Sequence, residues 1–275
     1  MRRQALIVLG VTALAGCGAH HRAAAPPPSP AALLHDTIAA AADSPGARYD
    51  LELTSSVELL PGAKSAELHA LAAHPPRFGA SGAIGKDVFT ATIHGAFPFP
   101  AQAIVAGPTW AYLRFKGNWY GSSRYGLSYV WPRARAELSA RGGPAALLAA
   151  PAVVPGPSES RRLTGRASRL AVALIDQVLG GFDPTAEREV AHASTVELDV
   201  GAADHLPRRL AVDVDLGRVT LVRMARDQTV DTRGIARVRV HVTMTFSDWG
   251  HPPSADRPSH ARSWEQYLHD SGVGE

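Results

Sequence analysis

The sequence is poor in the features that most often announce a function. Cys17 is the only cysteine among 275 residues. No disulfide can therefore staple the chain to itself, and stability must come from a packed core. No apolar run approaches the roughly 20 residues that a membrane-crossing helix needs. An excess of one charge is missing too. Without residues 1–16, which carry Arg2 and Arg3 and no acid, 26 basic side chains face 25 acidic ones. A near-neutral surface argues against nucleic acid as a partner. Catalytic signatures are also lacking. There is no His-Glu-x-x-His, no phosphate-cradling glycine loop and no Gly-x-Gly-x-x-Gly. Gly79-Ala80-Ser81-Gly82 is one residue too short for a nucleophile elbow. The twelve histidines scatter, and His69, His74, His192, His205 and His241 read as surface or strand-edge residues. The expectation is a chain that is not an enzyme and holds neither metal nor cofactor.

What is present begins at the N-terminus. Arg2 and Arg3 precede an apolar stretch over 5–13, then Leu14-Ala15-Gly16-Cys17. Charge, apolar segment and small residues are the three parts of an export signal, so residues 1–16 read as a signal peptide. A cysteine directly after Leu-Ala-Gly resembles the lipobox of bacterial lipoproteins. That resemblance implies a diacylglycerylated thiol at Cys17, palmitate-type acyl chains, and cleavage that leaves Cys17 first. A free or intermolecularly paired thiol is the alternative reading. Two or three acyl chains anchor firmly, at about 0.8 kcal/mol per buried CH₂. The expected location is the cell membrane, lipid-anchored, on its extracytoplasmic (periplasmic) face. Residues 17–31 hold Pro26-Pro27-Pro28 and Pro30 and read as a tether. A semi-rigid, proline-rich tether of this length reaches roughly 30–40 Å. His20-His21 within it read as solvated filler.

Beyond the tether the patterning changes. Leu33, Leu34, Ile38 and Ala41 share one helical face over 31–43, stopped by Ser44-Pro45-Gly46. Residues 49–59 then alternate strictly, with Tyr49, Leu51, Leu53, Ser55, Val57 and Leu59 on one side. Strand pairs are expected over 77–85 with 87–97, and over 101–105 with 109–115, followed by a short strand at 118–121. Residues 132–150 and 169–179 read as helical, with a loop over 151–160 between them. Strands return at 195–200, 209–216 and 235–246, with a weaker one at 219–224. Val238, Val240, Val242, Met244 and Phe246 face one way, and Arg237, Arg239, His241, Thr243 and Thr245 the other. Such alternation means one wet and one dry face, as in antiparallel sheets. Trp264, Tyr267 and Leu268 suggest a short docking helix in an otherwise polar tail.

Two carboxylate pairs, Asp213 with Asp215 and Glu197 with Asp199, could serve acid–base work, but period-2 placement on a solvent face explains them. Arg161, Arg162, Arg166 and Arg169 could form a patch for anionic headgroups, with ordinary solvated arginines the plainer reading. Phe89, Phe97, Phe99, Trp110, Tyr112, Phe115, Trp119 and Tyr120 cluster in one stretch. They suit a pocket lining or a conventional core equally well.

Two short motifs add a family resemblance. The stretch Trp110-Ala-Tyr-Leu-Arg-Phe-Lys-Gly-Asn-Trp119-Tyr120 is similar to a strand and turn of the actinobacterial LppX/LprG-like lipoproteins. Ser247-Asp248-Trp249-Gly250 resembles the close of their half-barrel. The wider set includes the LolA-like carriers of bacterial envelopes. The resemblance covers about residues 32–253 in element order. It departs at 62–76, which is longer than the pattern, and in a polar C-terminal tail, residues 254–275, that runs past the usual stop. It implies an α+β fold: a curved antiparallel β-sheet (half-barrel) with helices packed on its concave face. It also implies a cavity that binds acyl chains of a lipid or lipoglycan for carriage or presentation in the envelope. The expected lining is Phe89, Ala91, Ile93, Leu113, Val212, Val214, Val240, Val242 and Met244. The rival reading is a filled core on a non-catalytic lipoprotein that docks a protein partner. A secreted hydrolase comes a distant third.

Overall fold

The computed structural model describes residues 28–95, 101–121, 148–157, 159–168, 171–172, 184–217 and 234–272. In chain order these form α1 (Pro30–Asp43), β1 (Gly46–Leu59), α2 (Ala66–Ala73), β2 (Arg77–Gly85) and β3 (Phe89–Gly95). Then come β4 (Ala103–Ala106), β5 (Ala111–Phe115), β6 (Asn118–Gly121), β7 (Leu148–Pro155) and β8 (Ser160–Ala167). The last elements are α3 (Pro184–Ala193), β9 (Ser194–Gly201), β10 (Pro207–Gly217), β11 (Ile235–Ser247), β12 (Arg262–Ser263) and α4 (Trp264–Ser271).

All twelve strands join one open sheet in the order β12-β6-β5-β4-β3-β2-β1-β11-β10-β9-β8-β7. Every pairing is antiparallel except the short parallel contact of β12 with β6. Residues directly opposite one another share a face, so the register traces the two sides. One row runs Leu163, Leu198, Leu210, Met244, Leu51, Ala80, Ile93 from β8 to β3. Another runs Phe246, Tyr49, Gly82, Ala91, Ile104, Leu113, Tyr120 from β11 to β6. Both are apolar. A single hydrophobic cluster joins Leu163 and Leu198 on one flank with Leu113 and Tyr120 on the other. A sheet of this width that shares one core is curved, with the apolar face inward. The same cluster takes in Leu33 of α1, Leu68 of α2, Val190 of α3 and Tyr267 of α4. The architecture is an α+β half-barrel with helices on its inner side.

Local chemistry sets the boundaries. The Ser29 hydroxyl accepts from the Ala32 amide and Pro30 opens α1, the usual division of labour at a helix start. Lys116 and Gly117, with φ of 46° and 81°, form the two-residue turn between β5 and β6, where both central residues must be left-handed.

The outer face is polar and internally paired. Arg162 grips Asp199 with two bonds, Nε to Oδ1 at 2.6 Å and Nη2 to Oδ2 at 3.0 Å. Asp215 meets Arg237 at 3.2 Å and Arg239 at 3.3 Å, and Arg239 meets Glu58 at 3.4 Å. The carboxylates of β9 and β10 are thus partners in cross-strand ladders.

Several expectations change. Residues 151–160, expected as a loop, supply most of β7 and the first residue of β8. The end of the expected helix over 132–150 is strand from Leu148 onward. Residues 66–73 form α2, capped by Ser65. Of the expected helix at 169–179, residues 171–172 are described, and they are helical. The expected strand at 219–224 lies outside the described residues.

Candidate functional site

Along the sheet the inner face is not uniformly buried. On the β8–β10 flank Leu163, Val196, Leu198 and Val200 are wholly inaccessible. At the centre the same face is sealed at Tyr49, Ala80, Ala91 and Phe246 and half-buried elsewhere. Leu51, Val57 and Leu59 of β1, Val238, Val240, Val242 and Met244 of β11, Phe78 of β2, and Phe89 and Ile93 of β3 all retain contact with solvent. An apolar strip across β3, β2, β1 and β11 is therefore accessible in the middle of the sheet, between flanks that are sealed.

All nine residues expected to line a cavity fall on this inner face. Phe89, Ile93, Val240, Val242 and Met244 belong to the half-buried strip. Val212 and Val214 sit beside it, opposite Val242 and Val240, and are 8% and 7% exposed. Ala91 and Leu113 are at 5% and 0% and are core. Cys17, Phe97 and Phe99 lie outside the described residues. The aromatic cluster divides between the faces. Phe89, Phe115 and Tyr120 point inward, and Tyr112 and Trp119 outward. Tyr49 stacks on Phe89 at 5.7 Å and donates its hydroxyl to the Thr90 carbonyl at 2.9 Å. Burial pushes its phenol pKa well up.

The Ser247-Asp248-Trp249-Gly250 motif makes a corner. Trp249 donates Nε1 to the Pro207 carbonyl at 2.8 Å and leans on Phe246 at 5.8 Å. Asp248 pairs with Arg48 at 3.3 Å, and the Gly250 amide bonds the Gly46 carbonyl at 3.0 Å. The motif pins the end of β11 to the starts of β1 and β10.

From this corner the chain crosses one end of the sheet, past Gly46 and Gly85, which Pro253 touches closely. It pairs with β6 as β12, and α4 then turns Tyr267 onto Phe115 and Tyr120, edge-on at 5.9 and 5.7 Å. Tyr120 donates to Asp270 at 2.8 Å. That bond, with His269 and Arg262, holds the Asp270 carboxyl below the ordinary carboxylate range. Burial and the same carboxylate push the Tyr120 phenol up. Sequence reading found the helix from Trp264 and Tyr267. It missed the crossing, whose only signal is the spacing of Pro252, Pro253 and Pro258.

One polar arrangement has the order of a catalytic relay. His241 Nδ1 lies 2.6 Å from Asp213 Oδ1, and its Nε2 lies 2.8 Å from the Thr243 hydroxyl. Acyl-transfer chemistry also needs free backbone donors near the nucleophile. Thr243 lies mid-strand between Glu52 and Ala211, where backbone amides are engaged in the ladders. The trio is half-exposed polar-face pairing. Among the described residues no group of three or more His, Cys, Asp or Glu is placed to hold a metal ion.

No family model matches the chain, and no curated protein matches it. Among solved structures it is similar to a LolA superfamily protein of Nitrosomonas europaea, at 10% identity and a TM-score of 0.28, over 84% of this chain and 96% of that one. So slight a likeness has no bearing on function. The fold described above rests on this chain's own strand order and register.

Proposed function

We propose that this is a membrane-anchored lipoprotein of the bacterial envelope that holds acyl chains of a lipid or lipoglycan against the inner face of its half-barrel. The observation that carries the reading is the half-buried apolar strip over β3, β2, β1 and β11. Contiguous apolar surface left in partial contact with solvent suits a binding site or an interface. An acyl chain needs only shape and dryness, at about 0.8 kcal/mol per buried methylene, which suits a site without catalytic groups. Attachment through Cys17 would keep the domain within a tether's length of its lipid source, and the resemblance of residues 110–120 and 247–250 to LppX/LprG-like, LolA-like proteins agrees with carriage or presentation.

The test is titration with a fluorescent long-chain fatty acid. Saturable uptake, displaced by an unlabelled diacyl lipid, supports the proposal, and an absence of uptake sinks it. Anchoring is tested separately. Cys17→Ser should move the protein from the membrane fraction to the soluble one or leave the precursor uncleaved. An unaltered, fully processed membrane form would exclude lipidation at that residue.

The filled-core alternative has support from one flank, where Leu163, Leu198 and Val196 are wholly inaccessible. It predicts that no lipid enters the inner face and that a protein partner docks on the outer face or the C-terminal tail.

A further inference from the structure

The C-terminal segment walls one side of an open cleft. Between residues 257–263 and the outer side of β5 and β6 lies a cleft of about 710 Å³, within the roughly 300–1,000 Å³ typical of small-molecule sites. It is separate from the inner apolar strip, because Tyr112 points to the opposite face of the sheet from Leu113.

Its floor is aromatic. A Cβ at Gly121 would collide with the Tyr112 ring, and one at Gly107 with the Trp110 ring. Glycine at both positions lets these rings lie down on the backbone. Their centroids are 5.8 Å apart. The wall is cationic. Arg257 donates Nε to the Tyr112 hydroxyl at 2.6 Å, with its guanidinium 5.6 Å from that ring's centroid. This fixes the side chain by one edge and leaves the two terminal nitrogens as donors. Arg262 is already paired with Asp270 at 3.2 Å. Among the described residues no carboxylate pairs with Arg257, and none of the residues lining the cleft is acidic. Thr109 and Ser259 add hydroxyls at the rim.

We propose that this cleft binds an anionic saccharide: a pyranose-sized ring on Trp110, with a phosphate or carboxylate on Arg257. A pyranose offers an aromatic ring its C–H face, offers Thr109 and Ser259 its hydroxyls, and, when phosphorylated or oxidised, offers a guanidinium a bidentate partner. A bare anion would leave the aromatic floor unused, and a neutral sugar would leave Arg257 unpaired. The proposal stands whether or not the inner strip binds acyl chains.

The test is calorimetric titration of the full chain with mannose 6-phosphate, mannose and inorganic phosphate. Mannose 6-phosphate should bind at least about tenfold tighter than either fragment, the equivalent of one charge-assisted hydrogen bond. Arg257→Gln should remove that advantage, Arg257→Lys should restore part of it, and Trp110→Ala should abolish ring binding. Arg257 is exposed, so its variants should fold as the parent does. Equal affinities for the three compounds, or an affinity that Arg257→Gln leaves unchanged, overturns the proposal. Sedimentation with phosphatidylinositol-containing vesicles separates the sources. Co-sedimentation that Arg257→Gln reduces supports a lipid-borne saccharide. If mannose 6-phosphate binds and co-sedimentation does not respond to that substitution, the source is a free glycan.

Discussion

Placing tryptophan at Val240 separates a binding surface from a core. Val240 lies in the half-buried strip, and its cross-strand neighbour Val214 is 7% exposed. Overpacking a sealed core costs about 1–3 kcal/mol. At a half-buried position the added ring can stay partly in contact with solvent, so Val240→Trp should change stability by less than about 1 kcal/mol, roughly 2–4 °C in Tm for a domain of this size. The ring then occupies room that an acyl chain would use. Displacing two methylenes removes about 1.6 kcal/mol of burial, a fall of about fifteenfold in affinity. Val196→Trp, on the wholly inaccessible flank, should do the reverse: a loss of about 1–3 kcal/mol or more, with lipid affinity per folded molecule little changed. The assays are thermal unfolding and fatty-acid titration on both variants. Equal destabilisation by the two would make the strip ordinary core. Unchanged lipid affinity in Val240→Trp would place the acyl site elsewhere.

Other consequences are open to measurement. Tyr267, 1% exposed and set against Phe115, Tyr120 and Trp264, anchors α4. Tyr267→Ala should cost about 3 kcal/mol or more and strip hydrogen-exchange protection from residues 262–271 first; protection unchanged there would refute the anchoring role. Asp199→Ala leaves Arg162 with Glu197 alone at 3.3 Å. It should cost about 2–3 kcal/mol, below the 3–5 of a fully buried pair because Arg162 is a quarter exposed. A urea-denaturation change under about 0.5 kcal/mol would contradict that. The pH profile should fall on both sides. The Asp270 carboxyl is depressed, first by the Tyr120 hydroxyl, so its contribution is complete above the unfolded carboxylate value near 4 and is lost as pH falls through the lower folded value. The phenols of Tyr49, Tyr120 and Tyr267 are raised by burial, so their contribution holds below about pH 10 and is lost as pH rises beyond it. Melting curves from acid to alkali check both limbs, and Asp270→Asn should flatten the acid one.

What was legible in the sequence follows from period. β1, β9, β10 and β11 alternate cleanly because each has one wet and one dry face, and their expected spans agree with the structure to within three residues at each end. β7 and β8 break that rule. Pro151 and Pro155 sit in β7, which is tolerable because it is a sheet edge. Ala150 takes a φ of 49° where the β7–β8 register slips. In β8 the inward positions include Arg161 and Gly165 beside Leu163, so no apolar rhythm survives. α2 is only eight residues long and lies between Pro61 and Pro75, too short for a periodic signal, though Ser65 as its cap was a readable cue. The inner-face candidates were readable in register and not in depth. Alternation shows which way Leu113 and Val240 point, and only the packing of other elements decides that the first is sealed and the second is not. The outer cleft depends on residues about 150 positions apart, Tyr112 and Arg257, and no local pattern announces such a pair.

The most direct test of acyl-chain binding is native mass spectrometry with lipid extraction. The protein would be taken from residue 28 onward, which keeps the Ser29 cap of α1 and omits Cys17. Near-stoichiometric co-purified diacyl lipid, diminished in Val240→Trp, is the expected result. A clean lipid-free mass, still lipid-free after incubation with diacyl vesicles, would contradict it and favour a filled core with a protein partner on the outer face or the C-terminal tail.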